Sequence, residues 1–201
     1  MILHDFPLSS ACYRVRIALN LKGLAYEKRN HALRAGEQRA PGYLAVNPAG
    51  LVPTLEVDGL RLGQSIAIID YLDSIEPEPR LIPIEPAERA RVLELTLTIA
   101  CDIHPLNNLR VLQYLEHAMG QDKSAVDTWY GHWIAAGFTT LETLLPDSRF
   151  AGGDVPNIVD TFLVPQVFNA RRFAVDLEPF PRLTAMADRA LALPAFAQAA
   201  P

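Results

Sequence analysis

The stretch EPEPRLIPIE (76–85) constrains this chain more than any other, because the character of the sequence changes across it. Its three prolines fix φ and withhold backbone donors, and its charges alternate, so it reads as a stiff connector. Before it, strand and helix signals alternate; after it, strand signals almost vanish. The expected organisation is an α/β domain over 1–77, a linker over 78–85 and an all-α domain over 86–201. A length of 201 residues suits two compact domains of roughly 80 and 120 residues.

Residues 1–6 read as a short strand stopped by Pro7, and 12–21 as an amphipathic helix ended at Lys22-Gly23. Tyr26 begins a second, more polar strand, followed by an ill-defined helix or loop through Leu44. Segments 51–57 and 60–62 flank Asp58-Gly59, the strongest short hairpin signal in the chain. Ser65 is expected to cap a helix over 66–72. The order β-α-β, a connection, then β-β-α predicts a small mixed sheet with helices on both sides, the thioredoxin-like arrangement. In the second domain Pro86 suits a first helical turn, and 87–117 is a long periodic apolar pattern that Pro105 should kink or interrupt. Further helices are expected over 124–145, 159–173 and 183–193. Asn157-Ile158-Val159-Asp160 reads as a capping box with Asp in place of the usual Glu.

A net charge of −5 argues against a general nucleic-acid binder but leaves room for a local cationic pocket that takes a small anion. The opening MILHDFPLSS lacks the basic head and apolar stretch of a secretory signal, and no apolar run reaches the ~20 residues that cross a bilayer. The two cysteines, Cys12 and Cys101, are far apart, which excludes a disulfide scaffold and a CxxC dithiol, and no metal-ligating cluster is seen. The expected address is a reducing cytoplasm, with no membrane partner.

Five places carry candidate chemistry. Ser9 and Ser10 lie between a strand and a helix start, where free N–H groups and the positive dipole end favour an anion. A thiolate held there by a hydroxyl donor would have a lowered pKa; the alternative is an ordinary helix cap. Val52-Pro53 is a place for a cis peptide entering a strand. Gln64-Ser65 can hold a carboxylate at a helix start, or simply cap it. Within 101–110, His104 and Asn108 share a helical face, and Asn107 and Arg110 a neighbouring one, either as a cleft wall or around a satisfied core histidine. Arg171-Arg172 form either an anion clamp or two solvated charges.

Taken in order, SSACYRVRIAL (9–19), NPAGLVPTLEVDG (47–59), GQSIAIIDYL (63–72) and LVPQVFNARRF (163–173) resemble the zeta class of glutathione transferases, which includes the maleylacetoacetate and maleylpyruvate isomerases. The likeness runs nearly end to end, and CDIHPLNNLRVLQYL (101–115) resembles the bacterial maleylpyruvate isomerases in particular. It implies a two-domain fold, thioredoxin-like α/β followed by an all-α bundle, a homodimer, and glutathione as cofactor. By the same resemblance Ser9 activates the glutathione sulfur with Ser10 beside it, and Gln38 contacts the glycyl end. Val52 pairs through its backbone with the cysteinyl part, Pro53 is the cis-proline, and Gln64 and Ser65 bind the γ-glutamyl group. His104, Asn108 and Arg110 line the second-domain side, and Arg110 and Arg172 meet substrate carboxylates. The implied activity is glutathione-dependent cis-trans isomerisation of a maleyl-type dicarboxylate. Conjugation of small electrophiles, and a non-catalytic binding protein of the same fold, are the alternatives.

Two positions depart from the pattern. Ala11 stands where relatives have cysteine, and Cys12 follows it, rotated by ~100° about the helix axis. Leu8 stands where relatives often have arginine.

Overall fold

Leu3, fully buried at the middle of β1 (Ile2–Asp5), lies in a four-stranded sheet of order β2-β1-β3-β4. The computed structural model describes all residues, 1–201, in two compact units: Met1–Ile82 with Leu191–Pro201, and Pro83–Ala190. In the first unit β1 pairs in parallel with β2 (Glu27–Asn30) and antiparallel with β3 (Thr54–Val57), which pairs antiparallel with β4 (Leu60–Gly63). Strand β2 is exposed along its length and reads Glu-Lys-Arg-Asn, a charged edge that discourages pairing with another chain. Asp58 and Gly59 adopt φ of 48° and 81°, the backbone a two-residue hairpin turn requires. Strand β3 begins at Thr54 rather than at Leu51 because Pro53 brings no N–H to the ladder.

Helix α1 (Ser10–Leu21) connects β1 to β2 and is buried from Ser10 to Leu19. That burial includes Arg16, which reaches Asp5 at 2.6 Å and donates to the carbonyls of Pro7 and Ala199 at 2.9 and 2.8 Å. Asn20 and Tyr13 donate to the carbonyls of Ala195 and Phe196 around the short α9 (Pro194–Ala197). The last eleven residues, expected to extend the helical domain, thus satisfy donors on α1 and belong to the first unit. Between β2 and β3 lie two 3₁₀ turns, Leu33–Ala35 and Glu37–Arg39, and α2 (Pro41–Leu44).

Helix α3 (Ser65–Ile75) starts one residue earlier than expected: Gln64, at φ 65°, holds the N-cap position, and Ser65 is the first helical residue rather than the cap. At its far end buried Asp73 pairs with Lys22 at 2.7 Å and accepts the N–H groups of Leu81 and Ile82. The first half of the proline-rich connector is therefore fixed to the first unit, with Leu81 and Ile82 buried.

The second unit is helical. The pattern over 87–117 splits into α4 (Pro86–Leu97), a π-helical turn (Thr98–Ile103), non-helical residues 104–108, and α5 (Leu109–His117). The His104 N–H donates to Ile99 at 2.9 Å, five residues back, and Pro105 follows with no donor to continue the ladder. Helix α6 (Lys123–Leu144) approaches this turn closely at Gly137, where an added Cβ would lie 2.3 Å from Ile103. Helix α7 (Ile158–Arg172) is buried over most of its length, and α8 (Pro181–Leu191) completes the unit. The capping box forms as read: Asn157 accepts from Val159, and Asp160 accepts from Asn157. No helix is long and apolar enough to cross a membrane.

Candidate active site

Strand register brings four separated sequence segments to one end of the sheet. His4 pairs with Arg29 and with Thr54, and Thr54 pairs with Gly63. The C-terminal ends of β1, β2 and β4 and the start of β3 therefore coincide. Ser9-Ser10 leave that end after β1, the segment carrying Gln38 leaves after β2, Val52-Pro53 enter there before β3, and Gln64-Ser65 leave after β4.

Ser9 is the N-cap of α1, and its Oγ accepts the Cys12 N–H at 3.2 Å. Capping uses an oxygen lone pair, so the hydroxyl proton can still donate to a sulfur, as its bond to the Cys12 thiol shows; a cap and a sulfur donor are compatible in one serine. The first turn of α1 contains no acidic residue, which leaves its positive end without a carboxylate. Ser10 is buried at the first helical position. Cys12 is fully buried, and that burial, with Asp5 nearby, pushes its thiol far above the usual range. Leu8 is exposed.

The Val52–Pro53 bond is cis. Just before it, the Leu51 carbonyl accepts from Tyr43 Oη at 2.6 Å and from Asn47 Nδ2 at 2.8 Å, and Thr54 Oγ1 lies 2.9 Å from both. Gly50 is required here, since its φ is 60° and a Cβ would come within 3.1 Å of the Gln38 carbonyl. Gln38 is buried, and its Oε1 has no hydrogen-bond partner in the chain. Gln64 is exposed and makes no side-chain cap, so the first N–H groups of α3 are left to another acceptor. Ser65 is buried and its Oγ accepts from Arg14 Nη1 at 3.4 Å; complete burial pulls the Arg14 guanidinium down to about 9.

In the second unit, 104–108 are not helical, so His104 and Asn108 do not share the helical face expected of them, nor do Asn107 and Arg110. Asn108 caps α5 by accepting the Arg110 N–H at 3.1 Å, and Arg110 is exposed beside it. Asn107 is buried, donates to the Tyr130 carbonyl at 3.0 Å, and leaves its Oδ1 without a partner. The Arg171-Arg172 pair divides. Arg171 makes a two-bond fork to Asp188, at 2.7 and 2.9 Å. Arg172 lies over the Phe173 ring at 5.0 Å and against the Tyr130 hydroxyl; burial pushes that phenol up to about 12, with Arg172 pulling the other way.

A profile of the glutathione S-transferase N-terminal domain matches residues 3–80. A Vibrio cholerae serotype O1 protein named "Probable maleylacetoacetate isomerase" is 50% identical over 206 residues, covering 100% of this chain and 95% of that protein. The chain belongs to the zeta class of glutathione transferases. A maleylpyruvate isomerase structure described as a bacterial zeta-class transferase is 44% identical with a TM-score of 0.97, covering 100% and 96% of the two chains. A maleylacetoacetate isomerase from Methylobacterium extorquens AM1, solved with malonate and glutathione bound, is 38% identical with a TM-score of 0.95, covering 99% and 95%.

The zeta-class sheet end fits glutathione on its own chemistry. A tripeptide with two carboxylates and a thiol needs anion-binding helix starts, an amide partner and a sulfur donor. Uncapped α3, the unpartnered Gln38 Oε1 and the Ser9 hydroxyl are such groups. Sequence reading missed the residues that support these groups: Tyr43 and Asn47 behind Leu51 in the first unit and, within the second, Tyr130 behind Arg172. Asn47-Pro48 ahead of Leu51 is a local turn signal that points to Asn47; nothing local marks Tyr130, whose partner lies on another helix.

Proposed function

We propose that this zeta-class enzyme catalyses glutathione-dependent cis-trans isomerisation of a maleyl-type dicarboxylate, maleylpyruvate or maleylacetoacetate, to the fumaryl form. The observation that carries the reading is the meeting of Ser9, Val52-Pro53 and Gln64-Ser65 at one sheet end, in a chain whose relatives over its full length bear the isomerase names. Bound glutathione supplies a thiolate that adds reversibly to the conjugated alkene, which frees the bond to rotate.

In this reading the Ser9 hydroxyl donates to the sulfur, and the N-terminus of α1 favours its negative charge. Ser10 sits beside it in the same turn. The Val52 backbone next to Pro53 pairs with the cysteinyl part, Gln38 takes the glycyl end, and Gln64 with Ser65 takes the γ-glutamyl carboxylate. From the helical unit, His104, Asn108 and Arg110 are assigned to glutathione. Arg110 and Arg172 are assigned to the substrate carboxylates, for which a guanidinium fork is suited. Arg172 is favoured over Arg171 because Asp188 already occupies the Arg171 fork. The proposed assembly is a homodimer in the cytoplasm.

Purified protein with maleylpyruvate or maleylacetoacetate, with and without glutathione, tests the reading. Isomerisation that requires glutathione is expected. Turnover of neither compound sinks it, and activity confined to halogenated electrophiles replaces it with conjugation.

A further inference from the structure

One cluster at the same sheet end has no part in the proposed reaction. His4 is buried on β1, with its Nε2 2.7 Å from Glu56 Oε1 and its Nδ1 2.8 Å from His31 Nε2. The two imidazoles stack with centroids 5.0 Å apart, and the Tyr43 ring packs against both, 5.3 Å from His4 and 4.4 Å from His31. Tyr43 in turn holds the Leu51 carbonyl and Thr54. The series Glu56, His4, His31, Tyr43 therefore joins the segment that leaves β2 and leads to Gln38 with the approach to Val52-Pro53.

We propose that His31 is a positioning residue of the glutathione site, and that acid weakens glutathione binding by breaking the bond between His31 and His4. The proposal rests on the glutathione reading above. Proton counting gives the reason. Glu56, held below the usual carboxylate range chiefly by its bond to His4, accepts the His4 Nε2–H. One proton then lies between His4 Nδ1 and His31 Nε2. The neutral pair keeps this bond, and so does the pair with one added proton on His31 Nδ1. A second added proton places two N–H groups face to face at hydrogen-bond distance on two adjacent cations, and the bond is lost.

Other charges bear on the pair from each neighbouring element. Arg29 on β2 lies 3.7 Å from Glu56, with Glu27 beside it, and Arg61 on β4 lies 3.2 Å from Glu56. Glu37, from the second 3₁₀ turn, accepts the Ala32 N–H at 2.7 Å and favours a charged His31. Tyr43 from α2 and Thr54 from β3 complete the surroundings. Burial, and then the charge of His4, hold His31 below the ordinary histidine value. The first proton taken up leaves the bond in place, and for a pair depressed in the folded state the second is taken up only below about 6.5, so the bond is lost on further acidification.

S-methylglutathione, whose blocked sulfur does not titrate, separates this effect from thiol activation. Its affinity is measured by calorimetry at pH 7.5 and 5.0 for the wild type, His31→Gln and His31→Leu, with thermal melts checking that each is folded. The wild-type Kd is expected to rise at least fivefold on acidification. His31→Gln, whose amide can donate to His4 without titrating, should bind within twofold of wild type at pH 7.5 and change less than twofold at pH 5.0. His31→Leu should bind at least fivefold more weakly at pH 7.5; if it does not fold, the slope of His31→Gln decides. Equal wild-type affinity at both pH values, or an unchanged slope in His31→Gln, overturns the positioning role and leaves the glutathione reading standing. Failure of wild type to bind S-methylglutathione at pH 7.5 overturns both.

Discussion

Helices α1 and α7 both begin with a side-chain cap, and they differ in what the cap leaves over. At α7, Asn157 accepts from Val159 at 2.8 Å, while Asp160 accepts from Asn157 at 2.9 Å and from Ala151 at 3.1 Å. Donors and acceptors close on one another, and both residues are buried. At α1, Ser9 accepts a single bond, and no acid follows in the first turn. Helix α3 goes further, since Gln64 caps nothing with its side chain. A helix start that serves the fold saturates its own polar groups. One that serves a ligand keeps a donor and a positive end in reserve.

Opening the closed cap gives the largest expected effect, and it falls on stability alone. Asp160→Ala strands two N–H groups and should cost about 2–3 kcal/mol in urea unfolding, with turnover per folded molecule unchanged. A loss of turnover without a loss of stability would break the contrast with α1. Burial raises the Asp160 carboxyl to about 6, and the hydrogen bonds that it accepts only partly offset this. The folded state then binds more protons than the unfolded one between the unfolded value near 4 and about 6. The contribution of this group to stability should fall as pH rises through that window and level off above it. Comparison of wild type with Asp160→Asn across the window isolates the slope, which the variant should lack.

At the open cap the balance reverses. Ser9→Ala should lower glutathione-dependent turnover at least tenfold while costing about 1 kcal/mol or less of stability, and Ser9→Thr should recover part of the activity. Unchanged turnover in Ser9→Ala would move the activating role to Ser10.

These two helix starts also mark what the chain reveals in advance. The capping box between Asn157 and Asp160 and the Asp58-Gly59 turn are local, so the sequence predicts them. The Ser9 junction is local too. Its bond to Cys12 spans three residues, although sequence alone does not separate a cap from a donor. The position of α3's start was less legible, because it depends on Gln64 adopting positive φ, which its side chain does not announce. The break within 87–117 falls at Pro105, as the proline predicts, but the π turn just ahead of it is packed against Gly137 of α6, and the return of the C-terminal segment to α1 rests on an Arg16–Ala199 bond across 183 residues. Periodicity carries no information about either. His31 and Tyr43 escaped notice for the same reason: His31 is unremarkable until His4 of β1 and Tyr43 of α2 meet it, and Tyr43 until it reaches Leu51 and Thr54.

The arginines of α7 extend the comparison to side chains that bear charge. Arg171 is committed to the Asp188 carboxylate, whereas Arg172 bonds to the neutral hydroxyl of Tyr130. Arg172→Lys, which keeps the charge and loses the planar fork, should raise the KM for the dicarboxylate about fivefold with the glutathione KM unchanged. Arg171→Lys should change neither by more than twofold. Equal effects at the two positions would show that net charge on this helix, rather than the Arg172 fork, recognises the substrate.

The smallest effect is expected at Cys12, one residue beyond the position where the family pattern has its cysteine. Its thiol is fully buried and shifted away from ionisation by desolvation and by Asp5, with the Ser9 bond and Arg16 opposing only in part. A neutral sulfur in that setting acts as a small apolar group. Cys12→Ala should therefore leave turnover within twofold and cost about 1–2 kcal/mol through the space it vacates. An alkylating reagent at pH 8 should label exposed Cys101 and spare Cys12 until the chain unfolds. Rapid labelling of Cys12 in the native protein, or a tenfold loss of activity in Cys12→Ala, would mean that the start of α1 opens enough to expose a second sulfur. In that case the reserve donor at this helix would not be Ser9 alone.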